Sequence, residues 1–287
     1  MTGPLPDDPW SIGLYAGPDP LHLAAPRGRA NPIMTREQVT DIPAAFVADP
    51  FLLRHKGEWH LFFEVLHHER RLGEIGWASS PDAVAWSYQG IVLREPFHLS
   101  YPGVFEHGGE VFMVPETLDA GAVRLYRADP FPIRWVPVAD LLQGSLADPT
   151  PFRFEGRWWM FVCPAPSSHD ALSLFFADTF AGPWQEHPAS PLIVGDRSRA
   201  RPGGRVVCRD GRLYRFSQDC GPRYGSGVRA FEIIRLTRDD YAERECAESP
   251  ILGPSGTGWN GKGMHHVDAW QIAPDHWIAA VDGIRIK

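Results

Sequence analysis

One phrase recurs along this chain, and it restricts the fold more than any other feature. A turn containing Pro leads into an apolar pair, a short polar turn with Gly follows, and a run of apolar and aromatic residues comes next. Four copies cover 49–63, 101–114, 148–161 and 201–216, and a looser fifth copy covers 266–281. The copies begin 52, 47, 53 and 65 residues apart. A repeat of this length is typical of propellers and solenoids.

Each copy predicts a β-hairpin, because a Gly-containing turn separates two strand-like runs. A third strand-like run follows most copies, and a segment bearing Trp often comes next. Four antiparallel strands per unit and five units predict an all-β, five-bladed β-propeller as a single domain over residues 1–287. A β-sandwich with chance similarities is the alternative. The 28 Gly and 28 Pro disfavour a helical fold, and the one candidate helix is the short segment 35–39.

The fifth unit lacks strands at its C-terminal end, whereas a strand-like run precedes the first repeat. An open ring would leave sheet edges exposed, so a propeller closes by pairing one terminus with the last blade. We therefore expect the N-terminal strand within residues 10–24 to complete the blade at 265–285. Trp59, Trp158, Trp159 and Trp277 lie on second strands of hairpins, and we expect them to pack between blades rather than stack on sugars.

The bulk composition excludes some partners. The net charge of −7, from 28 basic and 35 acidic residues, argues against nucleic acid or an anionic membrane as the main partner. No apolar run approaches the about 18 residues needed to span a bilayer. Residues 1–8 lack a secretory pattern, so a cytoplasmic protein is expected. The four cysteines have no C-x-x-C spacing, which predicts free, buried thiols rather than a zinc site or disulfides.

The residues that open the repeats are the candidates for chemistry, because inner strands converge on one mouth of a propeller channel. They are Asp49, Tyr101, Asp148, Arg201, and His265 or His266 with Asp268. Paired carboxylates at a concave site can carry out acid–base displacement at a sugar carbon. The alternative is that Asp-Pro only forms a turn. Of the two neighbouring His residues, one should face inward, because side chains alternate along a strand.

Further candidates follow the second hairpin strands. Glu116 could reach the channel rim or lie in a solvated loop, and Gln218 with Asp219 closes the fourth hairpin. Arg201 could hold an anionic substrate group or neutralise Asp148. No cofactor and no metal site is predicted, although a cation or water near the two His residues is possible. Gly203-Gly204 lacks the strand–loop–helix setting of a nucleotide site.

Short motifs, in their order along the chain, resemble a known family. They are Asp49-Pro50-Phe51-Leu52, Gly73-Glu74-Ile75-Gly76, Ser100-Tyr101-Pro102, Asp148-Pro149-Thr150-Pro151, Ala200-Arg201-Pro202-Gly203-Gly204-Arg205 and Gly263-Met264-His265-His266-Val267-Asp268. This order resembles the five-bladed propeller domain at the N-terminus of glucosamine inositolphosphorylceramide transferases and of related bacterial proteins. That domain is similar in turn to family 43 glycoside hydrolases and arabinanase-like proteins. The resemblance covers about residues 8–284.

The resemblance to family 43 implies roles for matching residues. Asp49 matches the general base, Asp148 the carboxylate that tunes the acid, and His265 or His266 the channel histidine. The family's general-acid Glu comes from blade four, where this chain reads Ala200-Arg201-Pro202-Gly203 without a carboxylate. Glu116 or a His would then supply the acid.

Three functional hypotheses follow. The first is a glycosidase-like hydrolase in carbohydrate metabolism, acting by carboxylate chemistry on an oligosaccharide or on a neutral or anionic sugar-like small molecule. The second is a non-catalytic carbohydrate-binding propeller, which the missing Glu favours. The third is a propeller recruited for a cyclisation or elimination in small-molecule biosynthesis. The sequence predicts neither the substrate nor the oligomeric state.

Overall fold

The computed structural model describes residues 9–286, in which the repeats form five antiparallel sheets. The chain begins with β1 (Trp10–Gly17). Blade one contains β2 (Ala44–His55), β3 (Glu58–His67), β4 (Gly73–Ser80) and β5 (Ser87–Leu93). Blade two contains β6 (Ser100–His107), β7 (Glu110–Glu116), β8 (Ala122–Ala128) and β9 (Trp135–Gln143).

The remaining blades follow the same order. Blade three contains β10 (Ala147–Phe154), β11 (Arg157–Cys163), β12 (Ala171–Ala177), β13 (Gln185–Glu186) and β14 (Ile193–Val194). Blade four contains β15 (Val207–Arg209), β16 (Arg212–Asp219), β17 (Gly227–Leu236) and β18 (Tyr241–Glu245), and blade five contains β19 (Val267–Ala273) and β20 (His276–Ile284). The five sheets form the predicted five-bladed propeller, so the sandwich alternative is wrong.

Two-residue turns connect the first and second strands in four blades. The central pairs Lys56-Gly57, Gly108-Gly109, Glu155-Gly156 and Asp210-Gly211 all have positive φ at both positions. Positive φ at both central residues is the signature of a type I′ turn, whose twist matches that of the strands it joins. The Gly residues of the repeat therefore fix the hairpins that the sequence predicted.

The N-terminal strand closes the ring, as predicted. β1 pairs antiparallel with β20 from Trp10 opposite Ile284 to Gly17 opposite Trp277, and Ala16 forms a single bridge with Ala24. The fifth blade, which the sequence predicted to be short of strands, is the three-stranded sheet β1-β20-β19. Blade three departs from the predicted four strands per blade, because the short strands β13 and β14 both pair with β12.

The hydrophobic core consists of five clusters, and each joins two neighbouring blades. Trp59 lies between blades five and one, Trp158 between two and three, Trp159 between three and four, and Trp277 between four and five. All four are buried, as predicted. Because these clusters run around the whole ring, blade packing and ring closure depend on each other.

Three further sequence predictions concern the short helix, the cysteines and a membrane span. The helix predicted at 35–39 is a single 3-10 turn, Arg36–Gln38. The four cysteines are free, but only Cys163 and Cys220 are buried; Cys208 is exposed because it lies on the short edge strand β15. No helix within residues 9–286 is both long and apolar enough to cross a bilayer. Residues 1–8, where no secretory signal was expected, lie outside the described part of the chain.

Gly204 permits a close approach between blades four and five. Its φ is +139°, and a Cβ there would lie 1.8 Å from the carbonyl oxygen of Val267. Its N–H donates to the Tyr101 hydroxyl at 2.7 Å. The Gly203-Gly204 pair therefore serves packing in the channel wall.

We predict that Gly204→Ala destabilises the fold by at least about 2 kcal/mol, because both the positive φ and the clash oppose a side chain. Denaturant unfolding would measure the change. Gly253→Ala is the matched control, since its Cβ would meet nothing closer than 4.0 Å. Equal stability of the two variants would contradict the packing role.

Candidate active site at the mouth of the channel

A β-bulge occurs at the same place in the inner strands of blades one, two and three. The register shifts between Ala48 and Phe51, between Ser100 and Gly103, and between Ala147 and Thr150. The residues within these bulges are Asp49, Tyr101 and Asp148, with φ of 51°, 47° and 49°. A left-handed conformation is uncommon for residues other than Gly and carries strain. The bulges therefore do more than end a strand: they aim three repeat-opening side chains at the channel.

The second strands contribute a ring of residues at the same height. Ala48 pairs with Glu64, Ser100 with Glu116, and Ala147 with Cys163. Gln218 holds this place in blade four, where its N–H donates to the Arg201 carbonyl. Asp282 holds it in blade five, one residue after Val281, which pairs with Val267. All five ring residues are buried: Glu64, Glu116, Cys163, Gln218 and Asp282.

A cavity of about 840 Å³ opens at this mouth. Asp49, Glu64, Glu116, Arg201 and His265 contribute to its wall. The volume lies within the range of ligand sites, about 300–1,000 Å³. Five repeats separated in sequence thus supply one concave, polar site, as the repeat predicted.

Asp282 organises His265 and Asp49. The His265 Nδ1–H donates to Asp282 Oδ1 at 2.8 Å, and Nε2 lies 3.5 Å from Asp49 Oδ1. The backbone N–H groups of His265 and His266 donate to Asp282 Oδ1, and that of Asp49 donates to Oδ2, each at 3.1 Å. Asp49 Oδ1 accepts no hydrogen bond from the described residues. The network therefore fixes the imidazole and leaves one Asp49 oxygen available for a ligand or a proton.

Burial and charge set the protonation of this network. Burial raises the pKa of Asp49 to about 7, assisted by Asp282 and Asp148 and opposed by His265 and Arg201. Burial would lower the pKa of His265, but the charge of Asp282 and the hydrogen bond to it raise that pKa instead. Burial would raise the pKa of Asp282, yet His265 holds it below its usual value. A carboxyl that titrates near neutral pH suits a general base.

Asp148 lies beneath the cavity wall in an ion pair. Arg201 donates through Nε to Asp148 Oδ2 at 2.5 Å and through Nη2 to Glu116 Oε2 at 3.4 Å. Gln218 Nε2 also donates to Asp148 Oδ2, at 2.8 Å. Of the two roles considered for Arg201, the structure shows the ion pair with Asp148. Burial and then the Asp148 charge raise the pKa of Glu116 well above its usual value, while Arg201 opposes them.

Five of the predicted ligand-binding residues do not line the cavity: Tyr101, Gln218, Asp219, His266 and Asp268. Tyr101 is fully buried and its hydroxyl lies 2.9 Å from Thr150 Oγ1. His266 packs edge-on against Tyr101, and burial lowers its pKa to about 4, so it is the neutral, structural member of the His pair. Asp219, the last residue of β16, accepts a hydrogen bond from Arg229 Nε at 2.9 Å.

Asp268 closes the channel below the site. Arg205 donates through Nε to Asp268 Oδ1 at 2.7 Å and through Nη2 to the carbonyls of Leu52 and Val104. The Leu52 N–H donates to Asp268 Oδ2 at 2.6 Å. Asp268 therefore forms the floor, and its predicted binding role receives no support from its position.

Sequence reasoning missed several residues of the wall. They are Trp10, Glu64, His98, His169, Tyr224 and, behind His265, Asp282. Trp10 stacks on His265 with ring centroids 4.0 Å apart. Glu64 and Asp282 could have been found, because they occupy the place of Glu116 in their own repeats. His98, His169 and Tyr224 lie between strands, where the repeat carries no signal.

The sequence allows a bound cation near His265 and His266. Asp49, His265 and Asp282 do place one potential ligand atom each within 4.8 Å of one another. However, both Asp282 oxygens already accept hydrogen bonds, and His265 uses Nδ1 as a donor to one of them. These three side chains therefore suit a shared proton better than a bound cation.

Comparisons with known proteins identify the family. The profile described as "Glucosamine inositolphosphorylceramide transferase 1, N-terminal" matches residues 5–284. The chain belongs to this family. Glucosamine inositolphosphorylceramide transferase 1 of Oryza sativa subsp. japonica is 37% identical over 308 residues, and that of Arabidopsis thaliana is 35% identical over 298. The alignments cover 99% and 96% of this chain but only 41% and 39% of those proteins, so the chain spans about two fifths of their length.

Solved structures share the fold at low identity. The β-1,2-mannobiose phosphorylase of Listeria innocua aligns with a TM-score of 0.66 at 13% identity, covering 88% of this chain and 95% of that one. A thermostable family-43 glycoside hydrolase aligns with a TM-score of 0.59 at 13% identity, covering 83% and 88%. These likenesses confirm the propeller and carry no activity with them.

We predict that Asp282→Asn lowers the pKa of His265 by at least about one unit, because burial then acts without the opposing charge. NMR titration of the His ring signals would measure it, with the exposed Asp240→Asn as control. The unfolded pKa values are 6.5 for His and 3.8 for Asp. The pair therefore stabilises the wild type fully between about pH 3.8 and 6.5, and its contribution falls above and below that window. An unchanged His265 midpoint would contradict the network.

Proposed function

We propose that the channel mouth is an active site for displacement at a sugar carbon, with Asp49 as the general base. The observation that carries the proposal is the buried Asp49 carboxyl in the cavity wall. It has a pKa of about 7, and one of its oxygens has no hydrogen-bond partner among residues 9–286. A general base must lie at the substrate cavity and titrate near the working pH; Asp49 is part of the cavity wall and has a pKa of about 7.

The class of substrate rests on the relatives. The homologous proteins are named as transferases of glucosamine inositolphosphorylceramide, and the fold neighbours include a mannobiose phosphorylase and glycoside hydrolases. Sugars are common to these names, whereas hydrolysis is not. We therefore propose a sugar or glycan substrate and a hydroxyl nucleophile, either water or an acceptor alcohol.

The other wall residues have supporting roles in this proposal. His265, oriented by Asp282, lies beside Asp49 and stabilises its ionised form when the substrate has entered. Arg201 holds Asp148 and Glu116 at fixed positions. Displacement in one step would invert the sugar centre, and the proton for the departing oxygen would come from a second carboxyl. The sequence suggests Glu116 or a His as that proton donor.

A carbohydrate-binding propeller without catalysis is the second candidate. Blade four favours it, because it presents Arg201, which is already paired with Asp148, where the family 43 resemblance leads one to expect a carboxylate. The binding hypothesis requires that ligands bind equally well with and without the Asp49 charge, and that no sugar in a broad panel is converted.

We predict that Asp49→Asn lowers kcat by about 10²–10⁴-fold while sugar binding persists, because only the proton acceptor is lost. The measurement uses p-nitrophenyl glycosides, methyl glycosides and glycosyl fluorides of common hexoses, hexosamines and pentoses, in water and with added polyol acceptors. Asp178→Asn, exposed on blade three, is the control. NMR of the first product would show inversion. Turnover that survives in Asp49→Asn would remove the base assignment.

A further inference from the structure

We propose that Glu64 delivers the proton to the departing group and that His98 positions it; this inference rests on the proposed function. Glu64 occupies in blade one the place that Glu116 occupies in blade two. It lies on β3 opposite Ala48, directly beside the bulge that presents Asp49. Both carboxyls line the same cavity. Base and acid therefore come from adjacent strands of a single blade.

His98 has a fixed tautomer. The Gly73 N–H donates to His98 Nδ1 at 2.9 Å, so the ring proton resides on Nε2, which lies 3.3 Å from Glu64 Oε1. Burial lowers the pKa of His98, so the ring stays neutral. A Cβ at Gly73 would lie 2.9 Å from the His98 ring and 3.0 Å from Glu64 Oε1. The close backbone thus holds ring and carboxyl together.

The charged groups that face Glu64 favour its protonated form. Burial raises the pKa of Glu64 well above its usual value, and four acidic neighbours raise it further: Asp49, Glu116, Asp282 and Asp148. His98, which lies 3.3 Å from Glu64 Oε1, is neutral, so this contact adds no positive charge beside Glu64. Glu116 differs, because Arg201 and the Asp148 N–H both donate to its Oε2 and favour the anion. Glu64 is therefore the better reservoir for a proton.

The step balances with these two groups. The nucleophile's oxygen forms a bond to the sugar carbon while its proton passes to the Asp49 carboxylate. The bond from that carbon to the departing oxygen breaks, its electron pair stays on that oxygen, and the Glu64 carboxyl proton neutralises it. Asp49 ends protonated and Glu64 ionised, and proton exchange with water restores both.

The leaving group tests the donor directly. A methyl glycoside needs a proton on its departing oxygen, whereas a glycosyl fluoride does not. Glu64→Gln should lower kcat/KM at least about 10²-fold for methyl glycosides and leave glycosyl fluorides within about threefold. Glu58→Gln, exposed on the same strand, is the control. Equal losses on both substrates, or the leaving-group dependence appearing in Glu116→Gln instead, would overturn the assignment.

A second measurement needs no substrate. Carboxyl ¹³C NMR of Glu-labelled protein, with Glu64→Gln for assignment, should show a protonated Glu64 at pH 7, and His98→Ala should move its titration. An ionised Glu64 at pH 7 would refute the donor role. Turnover lost in Asp49→Asn but kept in Glu64→Gln removes only this inference. A wild-type protein that converts no sugar removes the proposed function as well.

Discussion

Burial of acidic side chains at one end of the channel is the constraint on which the rest of this structure depends. Five buried carboxyls converge there: Asp49, Glu64, Glu116, Asp148 and Asp282. Full ionisation of all five would be costly in so little solvent, so protons must stay on some of them. Arg201 contacts Asp148 and Glu116, and His265 contacts Asp282, so each cation favours the ionised form of the carboxyls beside it.

Ring closure and the site are mechanically coupled. β1 closes the propeller on β20, and each of these strands also supplies part of the site. Trp10 opens β1 and stacks on His265, while Asp282 near the end of β20 holds the same imidazole from the other side. Any loosening of the closing sheet would therefore release the residue that lies beside Asp49. Closure is thus a condition for the geometry of the site as well as for stability.

The sequence predicted the parts of the molecule that repeat. Gly-containing turns and apolar runs are local signals, and their repetition predicted the blades and placed Asp49, Asp148 and Arg201 at one mouth of the channel. Asp282 and Glu64 each lie one residue past the end of the repeated phrase, at Val281 and Phe63, so the phrase itself does not mark them. His98 and Tyr224 lie in connections, where tertiary packing alone sets position. Nor does a repeat reveal that Asp268 faces Arg205 in the floor rather than the cavity.

Arg201 of blade four gives two glutamates at equivalent places, Glu116 and Glu64, different electrostatic surroundings. Arg201 precedes Pro202 as Asp49 and Asp148 precede their prolines, so its guanidinium enters the same space from the opposite wall. There it pairs with Asp148 and reaches Glu116, which lowers the cost of ionising both. Glu64, across the cavity in blade one, gains only a neutral His98 and the repulsion of the remaining acids. In the proposed mechanism, the proton donor therefore lies in blade one, beside the base.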